Sequence, residues 1–312
     1  MKQLIFSVLI LSLIACAPSN SQDRKAEKKI AEKPGNFSGY WYAGEAEITS
    51  YKLEQARYGE IHKGEAVMVF VTEPFSKSKQ VKLDDWRDES ADNVSVMKLN
   101  MTKKFLTGIY PYSMMMSTFT PVSYDQYPDP IKVTTSSQEW CGHTFMQLNL
   151  QENDYRLRGF SYFESEGDLD VSIPNDGLLE DEIWTRIRLN PSSLPTGEID
   201  VLPGTFYMRL RHVDPWYPYA KASKLEVHTS EFSDEPHHIY TLEYENRELS
   251  IYYEPDFPFT ILGWEETYMS GFGEQELLTT KAKRINSIKS AYWGKNSNKD
   301  RELRKELGLS TN

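Results

Sequence analysis

The chain is poor in cysteine, since only Cys16 and Cys141 occur among its 312 residues. Two cysteines cannot build the disulfide framework of a small secreted domain, and they cannot form a cysteine-based metal cluster. Basic residues are also in the minority, with 35 Lys and Arg against 46 Asp and Glu and a net charge of −11. Nucleic acid is therefore not expected as a partner, because phosphate binding requires a basic face.

Long apolar runs are equally scarce, and the one that exists lies at residues 4–13. It follows Lys2 and is too short to span a bilayer as a mature helix, which is typical of a signal peptide. The run leads into Leu13-Ile14-Ala15-Cys16, which resembles the bacterial lipobox. The resemblance implies that residues 1–15 are removed and that fatty acids are attached to Cys16. The alternative is an ordinary signal peptide followed by an unrelated cysteine.

Lipidation would make Cys16 the membrane anchor, because several acyl chains on one residue hold a protein firmly. Ala17 rather than Asp follows the cysteine. By resemblance to sorting rules in Gram-negative bacteria, this favours the outer membrane, with the periplasmic or surface-facing side left open. Residues 17–37 are polar and rich in lysine, which predicts a flexible tether rather than a folded segment.

Aromatic residues are abundant, at 13% of the chain with 19 Tyr and 7 Trp, and they suit both strands and ligand-stacking surfaces. Segments at residues 46–53, 65–72 and 94–101 are strand-like, and similar segments recur with turn signals between them. This spacing indicates an antiparallel all-β architecture. The further strand segments are residues 131–136, 139–149, 155–164, 204–213, 225–232, 239–245, 248–254 and 259–269.

One helix interrupts the strands. Leu179, Ile183 and Ile187 recur at helical spacing, Asn175 or Asp176 is the expected N-cap, and Pro191 ends the helix. We expect a mainly β fold in which a large curved antiparallel sheet forms an open or closed barrel, with this helix packed on it and a short helix near the C-terminus. A two-sheet β-sandwich is the alternative. The expected divisions are a signal peptide at 1–15, a tether at 16–38, a β domain at 39–285 with its helix near 176–190, and a tail at 286–312.

Cys141 and His143 form the first candidate site. On one strand they would share a face about 6.6 Å apart, which is too far for a direct nucleophile–base hydrogen bond. A thiol-dependent enzyme and a metal site with a third ligand are the functional alternatives. The favoured interpretation is a buried cysteine in the core, because an exposed thiol in an oxidising envelope would be oxidised or paired.

A second candidate lies at residues 108–130, where methionines, tyrosines and prolines make a soft apolar segment. We expect either a loop that covers the end of the barrel or the rim of a ligand cavity. The ligand-binding candidates at this opening are Tyr110, Tyr112, Met114, Met115 and Met116.

Two tryptophans, Trp140 and Trp264, are expected to lie inside the curved sheet as further ligand-binding residues. Trp264 is followed by Glu265 and Glu266, and an aromatic side chain with carboxylates suits the binding or cleavage of a glycan. A packed sheet face with a salt-bridged glutamate explains the same residues.

Several segments together resemble a family of uncharacterised bacterial envelope lipoproteins, among them "ARYGEIHKGEAVMVFVTEPFSKSKQVKLD", "QEWCGHTF" and "LEDEIWTRIRLNPSSLPTG". Members are sometimes labelled septum formation inhibitor. That label implies a nucleotide pyrophosphatase with an α/β fold and a Ser-rich loop, a motif that this sequence lacks. The resemblance therefore implies an envelope lipoprotein and brings no catalytic residues.

The sequence thus predicts a non-enzymatic lipoprotein attached to the membrane through Cys16, which binds a hydrophobic or amphipathic ligand or docks another envelope protein. The first alternative is a glycan-binding or glycan-cleaving lipoprotein. The second is a thiol-dependent enzyme. No cofactor and no metal are expected for any of them.

Overall fold

The computed structural model describes residues 33–85, 87, 90 and 92–310 of the chain. The expected signal peptide, the lipidation site at Cys16 and most of the tether lie outside these residues.

Sixteen strands form a single sheet. They are β1 (Ala46–Arg57), β2 (Glu60–Ser76), β3 (Val81–Lys82), β4 (Asn93–Thr107), β5 (Tyr110–Pro121), β6 (Lys132–Glu139), β7 (Gly142–Leu150), β8 (Asp154–Phe160), β9 (Asp168–Pro174), β10 (Leu178–Leu179), β11 (Gly197–Leu202), β12 (Tyr219–Val227), β13 (His237–Glu243), β14 (Arg247–Tyr253), β15 (Ile261–Ser270) and β16 (Glu276–Ser290).

Most strands pair with their neighbours in the chain. The order across the sheet is β10-β11-β12-β13-β14-β15-β16-β1-β2-β4-β5-β6-β7-β8-β9, with β3 paired to β2. The short β10–β11 pair is parallel, whereas the pairs along the rest of the sheet are antiparallel. Hydrogen bonds do not close the sheet. The predicted mainly β fold is confirmed as a curved open sheet, and the strands do not divide into two sandwich sheets.

Hairpin geometry gives the sheet two different ends, because antiparallel strands joined by short turns return to the same edge. The turns at residues 58–59, 108–109, 140–141, 161–167, 244–246 and 271–275 all lie at one end, which we call the mouth. Residues 33–45 and 291–294 lie at the opposite end, which we call the terminal end, whereas the chain after them returns along β1 and β2 until the Ser310 backbone N–H donates to Glu65.

Four α-helices accompany the sheet in the described part of the chain. They are α1 (Phe37–Trp41), α2 (Glu180–Leu189), α3 (Thr205–Arg211) and α4 (Glu302–Glu306). Helix α2 is the one predicted near residues 176–190, and α4 is the short C-terminal helix. Within the described ranges, no helix combines the length and the apolar character needed to cross a membrane.

The prediction of a loop at residues 108–130 is wrong for the first half of this segment, because Tyr110–Pro121 form strand β5. Met114 and Met116 are buried at 1% exposure, whereas Met115 between them is 39% exposed. The three methionines therefore follow the period of two that a strand imposes, and they pack on both sides of a sheet rather than gathering in one apolar loop.

The predicted strand at residues 139–149 is also interrupted, because Trp140 and Cys141 form a two-residue hairpin turn. Glu139 pairs with Gly142 across this turn. A Cβ atom at Gly142 would lie 2.8 Å from the ring of Tyr162, so a residue without a side chain is required there. The tight turn places Cys141 outside strand β7, which carries His143.

Residues 204–213 form helix α3 and not the predicted strand. The Asp181 carboxylate accepts hydrogen bonds from the Thr205 backbone N–H (3.0 Å) and the Thr205 hydroxyl (2.7 Å), and this fixes the first turn of the helix. Phe206 and Leu210, four residues apart, are both buried. The tertiary contact with Asp181 therefore overrides the strand-like alternation of this segment.

Helix α2 runs inside the curved sheet, and all ten of its residues are buried. Arg247 at the mouth makes two hydrogen bonds of 2.6 Å to Glu180, the first residue of the helix. Near the other end of α2, Arg188 makes two hydrogen bonds of 2.5 Å to Glu47 on β1. The acidic start and basic end of α2 also agree with the direction of the helix dipole. Two bidentate ion pairs thus hold the helix within the sheet.

The pKa of Glu47 shows how tightly the Arg188 pair is held. Burial by itself raises this pKa, but the charge and hydrogen bonds of Arg188 and the hydrogen bond from the Tyr40 hydroxyl outweigh burial and lower it. Glu47 therefore stays ionised in the protein interior, and its charged form is stabilised by Arg188 and Tyr40.

We predict that Arg188→Met lowers the free energy of unfolding by about 3–5 kcal/mol, because it leaves a buried carboxylate without its counter-charge. Adding Glu47→Gln should restore part of the loss, since no buried charge then remains. Urea denaturation of both variants measures the effect.

The matched control is Arg156→Met, which removes an ion pair with Asp170 in which both side chains are 53% exposed. Solvent screens this pair, so its loss should leave the urea midpoint nearly unchanged. Equal destabilisation by the buried and the exposed substitution would contradict the assigned role of Arg188.

Candidate functional site

Aromatic side chains form a continuous belt around part of the mouth. Ring centroids lie 5.4 Å apart for Phe272 and Tyr58, 6.5 Å for Tyr58 and Tyr112, and 6.0 Å for Tyr112 and Tyr110. Tyr110 in turn lies 6.4 Å from Trp140. The belt therefore crosses four neighbouring hairpins, because each hairpin turn contributes a ring at the same end of the sheet.

The belt continues toward the open edge of the sheet. The ring of Tyr162 lies against Gly142, next to the Trp140 turn. Tyr162 and Phe163 are 5.5 Å apart, and Phe163 and His212 are 5.7 Å apart. His212 follows α3, so the belt ends beside this helix.

A cleft of about 260 Å³ lies where the belt meets α3, and we call it the seam cleft. Strands β6 to β9 and the loop after β8 supply one wall, whereas α3 and the residues that follow it supply the other. Its apolar lining is mixed aromatic and aliphatic. The apolar residues are Phe145, Met146, Phe160, Leu169, Met208, Val213 and Pro215.

Glu166 organises the polar side of the seam cleft. Arg209 donates from Nη1 to its carboxylate at 2.9 and 3.1 Å, and the Ser161 hydroxyl donates at 2.6 Å. His212 Nδ1 is also hydrogen-bonded to this carboxylate. Arg209 and His212 are three residues apart, which brings both side chains to the same side of the chain at the end of α3.

Glu166 remains ionised in this setting. Partial burial raises its pKa, but the hydrogen bonds from Ser161 and His212 and the charge of Arg209 outweigh burial and lower the pKa. The seam cleft thus combines apolar walls with a fixed polar group at one side. Small-molecule sites commonly have this composition, with a few placed polar groups in an apolar lining.

A second polar cluster lies deeper, beside α2. Lys103 on β4 is 3% exposed, and its ammonium lies 5.1 Å from the ring of Phe206 and 5.7 Å from that of Trp264. Lys103 borders a cavity of about 20 Å³ together with carboxylates that include Asp181 and Glu266. This volume holds roughly one water molecule. The cluster therefore has no room for an organic substrate, and its role is structural.

Burial is the main cause of two shifted pKa values in this cluster. Burial lowers the pKa of Lys103. Burial and the charge of Glu180 raise the pKa of Asp181 to about 7, although the hydrogen bonds from Thr205 and the charge of Arg247 act in the opposite direction. Near neutral pH, Asp181 is therefore protonated in a substantial fraction of the folded molecules.

The ligand-binding candidates at the opening divide into two groups. Tyr110 and Tyr112 belong to the aromatic belt, as does Trp140, which is 68% exposed. The expected position of Trp140 inside the sheet is therefore wrong, because the hairpin turn at residues 140–141 carries it to the mouth. Met114 and Met116 are core residues below the belt.

The expected burial of Cys141 is also wrong, because this cysteine is exposed at the turn. Its backbone N–H donates to Glu139 Oε2 at 2.7 Å. A separate hydrogen bond between the thiol and the Glu139 carboxylate, together with the negative charge of that carboxylate, raises the pKa of the thiol. His143 is exposed on β7. A raised pKa disfavours the thiolate that a cysteine nucleophile requires.

The expected position of Trp264 inside the sheet agrees with its exposure of 1%. The two glutamates that follow it lie on opposite faces of β15. Glu266 is buried and accepts a hydrogen bond of 2.7 Å from Arg247, whereas Glu265 accepts one of 2.7 Å from Tyr252. The structure therefore does not bring these three side chains to one accessible surface.

The residues that form the seam cleft are not recognisable from the sequence alone. Arg209 lies in the segment predicted to be a strand. In a strand, Arg209 and His212 would point to opposite faces, so their meeting at the end of a helix is not expected. Glu166 left no signal, since it lies in an irregular acidic loop. Lys103, which belongs to the deeper cluster, could have been recognised from the sequence. It occupies an inward position between Met101 and Phe105 on an alternating strand, and both of these neighbours are buried.

Among the described residues, no group of three or more His, Cys, Asp and Glu side chains is arranged to hold a metal ion. The chain matches no protein-family model, no curated protein and no solved structure. The geometry of the mouth and the seam cleft is therefore the basis on which a function can be inferred.

We predict that Asp181→Asn changes how stability depends on pH. The pKa of Asp181 is about 7 in the folded protein against an ordinary 3.8, so wild type loses stability as pH rises through this window. The loss amounts to roughly 4 kcal/mol, at 1.36 kcal/mol per pKa unit. The asparagine variant should not show this loss, so it should be more stable than wild type at pH 8 and should lose the advantage near pH 4.

Urea midpoints at pH 4, 6 and 8 test this prediction. Asp234→Asn, at an exposed turn position, is the control and should follow wild type at all three values. An Asp181→Asn variant that is less stable than wild type at pH 8 would show that the ionised carboxylate is required.

We also predict that a maleimide modifies Cys141 in the folded protein, because the thiol is exposed. Glu139→Gln should accelerate the reaction at neutral pH, since it removes the charge that raises the thiol pKa. The rate of modification, followed by mass spectrometry, gives the comparison. His143→Gln is the control, and a slower reaction in that variant would instead assign His143 as a base for the thiol.

Proposed function

We propose that this protein is a non-enzymatic envelope lipoprotein that binds an amphipathic ligand in the seam cleft. The observation that carries the proposal is the cleft of about 260 Å³ itself, with its apolar lining and the Glu166–Arg209–His212 group at one side. An apolar tail gains free energy by leaving water between these walls. A polar head would then lie against the charged group.

The position of the seam cleft supports a binding role. It lies at the mouth, beside the aromatic belt that includes Tyr162 and Phe163. Its volume is slightly below the roughly 300 Å³ at which drug-sized sites begin. The cleft therefore suits a single short chain or a small ring system rather than a whole phospholipid.

Attachment to the outer membrane through Cys16 is part of the proposal and is supported by the lipobox-like sequence Leu13-Ile14-Ala15-Cys16. The described chain begins at the terminal end of the sheet, with residues 33–45 leading into β1. A lipid on Cys16 would therefore connect the membrane to the terminal end of the sheet, so the mouth is not the point of attachment.

The enzymatic alternatives have weaker support. The Cys141 thiol has a raised pKa and lies in a hairpin turn. Glu266 is buried and accepts a hydrogen bond from Arg247, and the nearby Trp264 is only 1% exposed. The first arrangement therefore disfavours the reactive thiolate, and the second lacks an accessible carboxylate.

We predict that Gly159→Leu lowers the affinity for amphiphiles at least tenfold. A Cβ at Gly159 would make an ordinary contact of 3.5 Å with Leu169, so a longer side chain extends into the seam cleft without a backbone clash. Titration with decanol, decanoate and decyltrimethylammonium measures binding and shows which head group is preferred. Gly294→Leu is the matched control, because a Cβ there has no neighbour within 4 Å.

Wild-type protein that binds none of the three probes would contradict the proposal. Equal binding by the wild type and Gly159→Leu would show that the amphiphiles bind elsewhere. Tenfold in affinity corresponds to 1.4 kcal/mol, which is well within reach of a few buried methylene groups.

A further inference from the structure

We infer that the mouth is a docking surface for a basic, apolar-faced segment of another envelope protein. The inference goes beyond ligand binding, because it concerns the turns that surround the mouth and does not require an occupied seam cleft. It depends on three observations, which are the exposure of large apolar side chains, their continuity, and the sign of the charge around them.

Large apolar side chains stand at the tips of the mouth turns. Ile109 and Phe272 are each 77% exposed, Trp140 is 68% exposed and Tyr162 is 67% exposed. Hairpin tips usually carry Gly, Asn, Asp or Ser, which water solvates well. Four hairpins that each place a large apolar residue at the tip therefore form a surface that favours contact with a partner.

These tips belong to one surface. The ring contacts from Phe272 through Tyr58, Tyr112 and Tyr110 to Trp140 are all 6.5 Å or less. Aromatic residues with little side-chain entropy are the anchors that protein interfaces prefer. A partner that covers this belt would remove the exposed rings of Phe272, Trp140 and Tyr162 from water, whereas Tyr112 is already buried beneath them.

The charge around the belt is negative. Exposed carboxylates in the mouth turns and the adjoining strand residues include Glu60, Glu164, Asp214, Glu245, Glu274 and Glu276. Exposed lysines also lie near the mouth, since Lys63, Lys104 and Lys221 are two or three residues from it along their strands, but the carboxylates outnumber them. An apolar belt bordered by acids is complementary to an apolar surface bordered by basic residues.

The same charge argues against a bilayer as the occupant. Anionic lipids give membranes a negative surface potential, which repels a ring of carboxylates within a Debye length. The electrostatics of the mouth therefore favour a protein partner over a membrane.

Defined peptides test the inference on the full chain carrying Cys16→Ser, so that no acyl chain contributes. The probes are three fluorescent 18-residue amphipathic helices, one of leucine and lysine, one of leucine and glutamate, and one of serine and lysine. Fluorescence anisotropy should show that the leucine–lysine helix binds to the protein. Added salt should lower the affinity, because part of the attraction is between opposite charges.

The decisive variants change the mouth alone. The double variant Trp140→Ser, Phe272→Ser should bind the leucine–lysine helix with at least tenfold lower affinity. The double variant Glu274→Lys, Glu276→Lys should lower this affinity as well. The matched control is Leu225→Ser with Trp293→Ser, whose side chains are 59% and 55% exposed away from the mouth. All substituted side chains are exposed, so each variant should keep the wild-type unfolding midpoint.

Three results would overturn the inference. They are equal binding of the leucine–glutamate helix, equal loss in the control variant, and tighter binding to phosphatidylglycerol or phosphatidylcholine vesicles than to any peptide. Decanol titration of the same variants separates this test from the ligand proposal. The mouth variants should retain decanol binding, whereas Gly159→Leu should lose it and still bind the leucine–lysine helix.

Discussion

The structure depends on the ion pairs that allow a charged helix to lie inside a β-sheet. Helix α2 is buried along its whole length although five of its ten residues are acidic or basic. Burial of such groups is tolerated only when each has a partner, because the loss of hydration costs several kcal/mol per ion. Arg247 and Glu47 of the sheet supply the counter-charges at the two ends of the helix. Together they fix how far the helix extends along the sheet and which side faces each strand.

The position of α2 in turn determines where the seam cleft lies. Asp181 on α2 holds the start of α3 through Thr205, and α3 carries Met208 and Arg209 to the far wall of the cleft. Helix α3 packs against β5 and β6 within the curved sheet, and the cleft lies between this helix and strands β7 to β9. A buried polar contact and an exposed binding surface are therefore linked through one short helix.

The two ends of the sheet have different chemical character, and this difference connects fold to function. The chain enters the sheet at the terminal end, whereas the mouth collects the hairpin turns. Turns are free to carry side chains that the fold does not need, because their contribution to the core is small. Here they carry exposed aromatic residues and carboxylates, which supports the proposal that binding takes place at the mouth.

The sequence by itself predicted the curved antiparallel sheet, the buried Trp264, the helix near residues 176–190 and the short C-terminal helix, because strand and helix periods are local properties of the chain. It failed at residues 204–213, where the contact between Asp181 and Thr205 converts a strand-like segment into α3. It also failed at residues 140–141, where a tight turn exposes Trp140 and Cys141. The Tyr162 ring lies against Gly142, the residue that follows this turn. The seam cleft could not be found from sequence, since Glu166 and Arg209 are 43 residues apart and meet only after the sheet has curved. Local patterning determined the elements of this protein, whereas pairing between distant charges and rings decided which side chains share a surface.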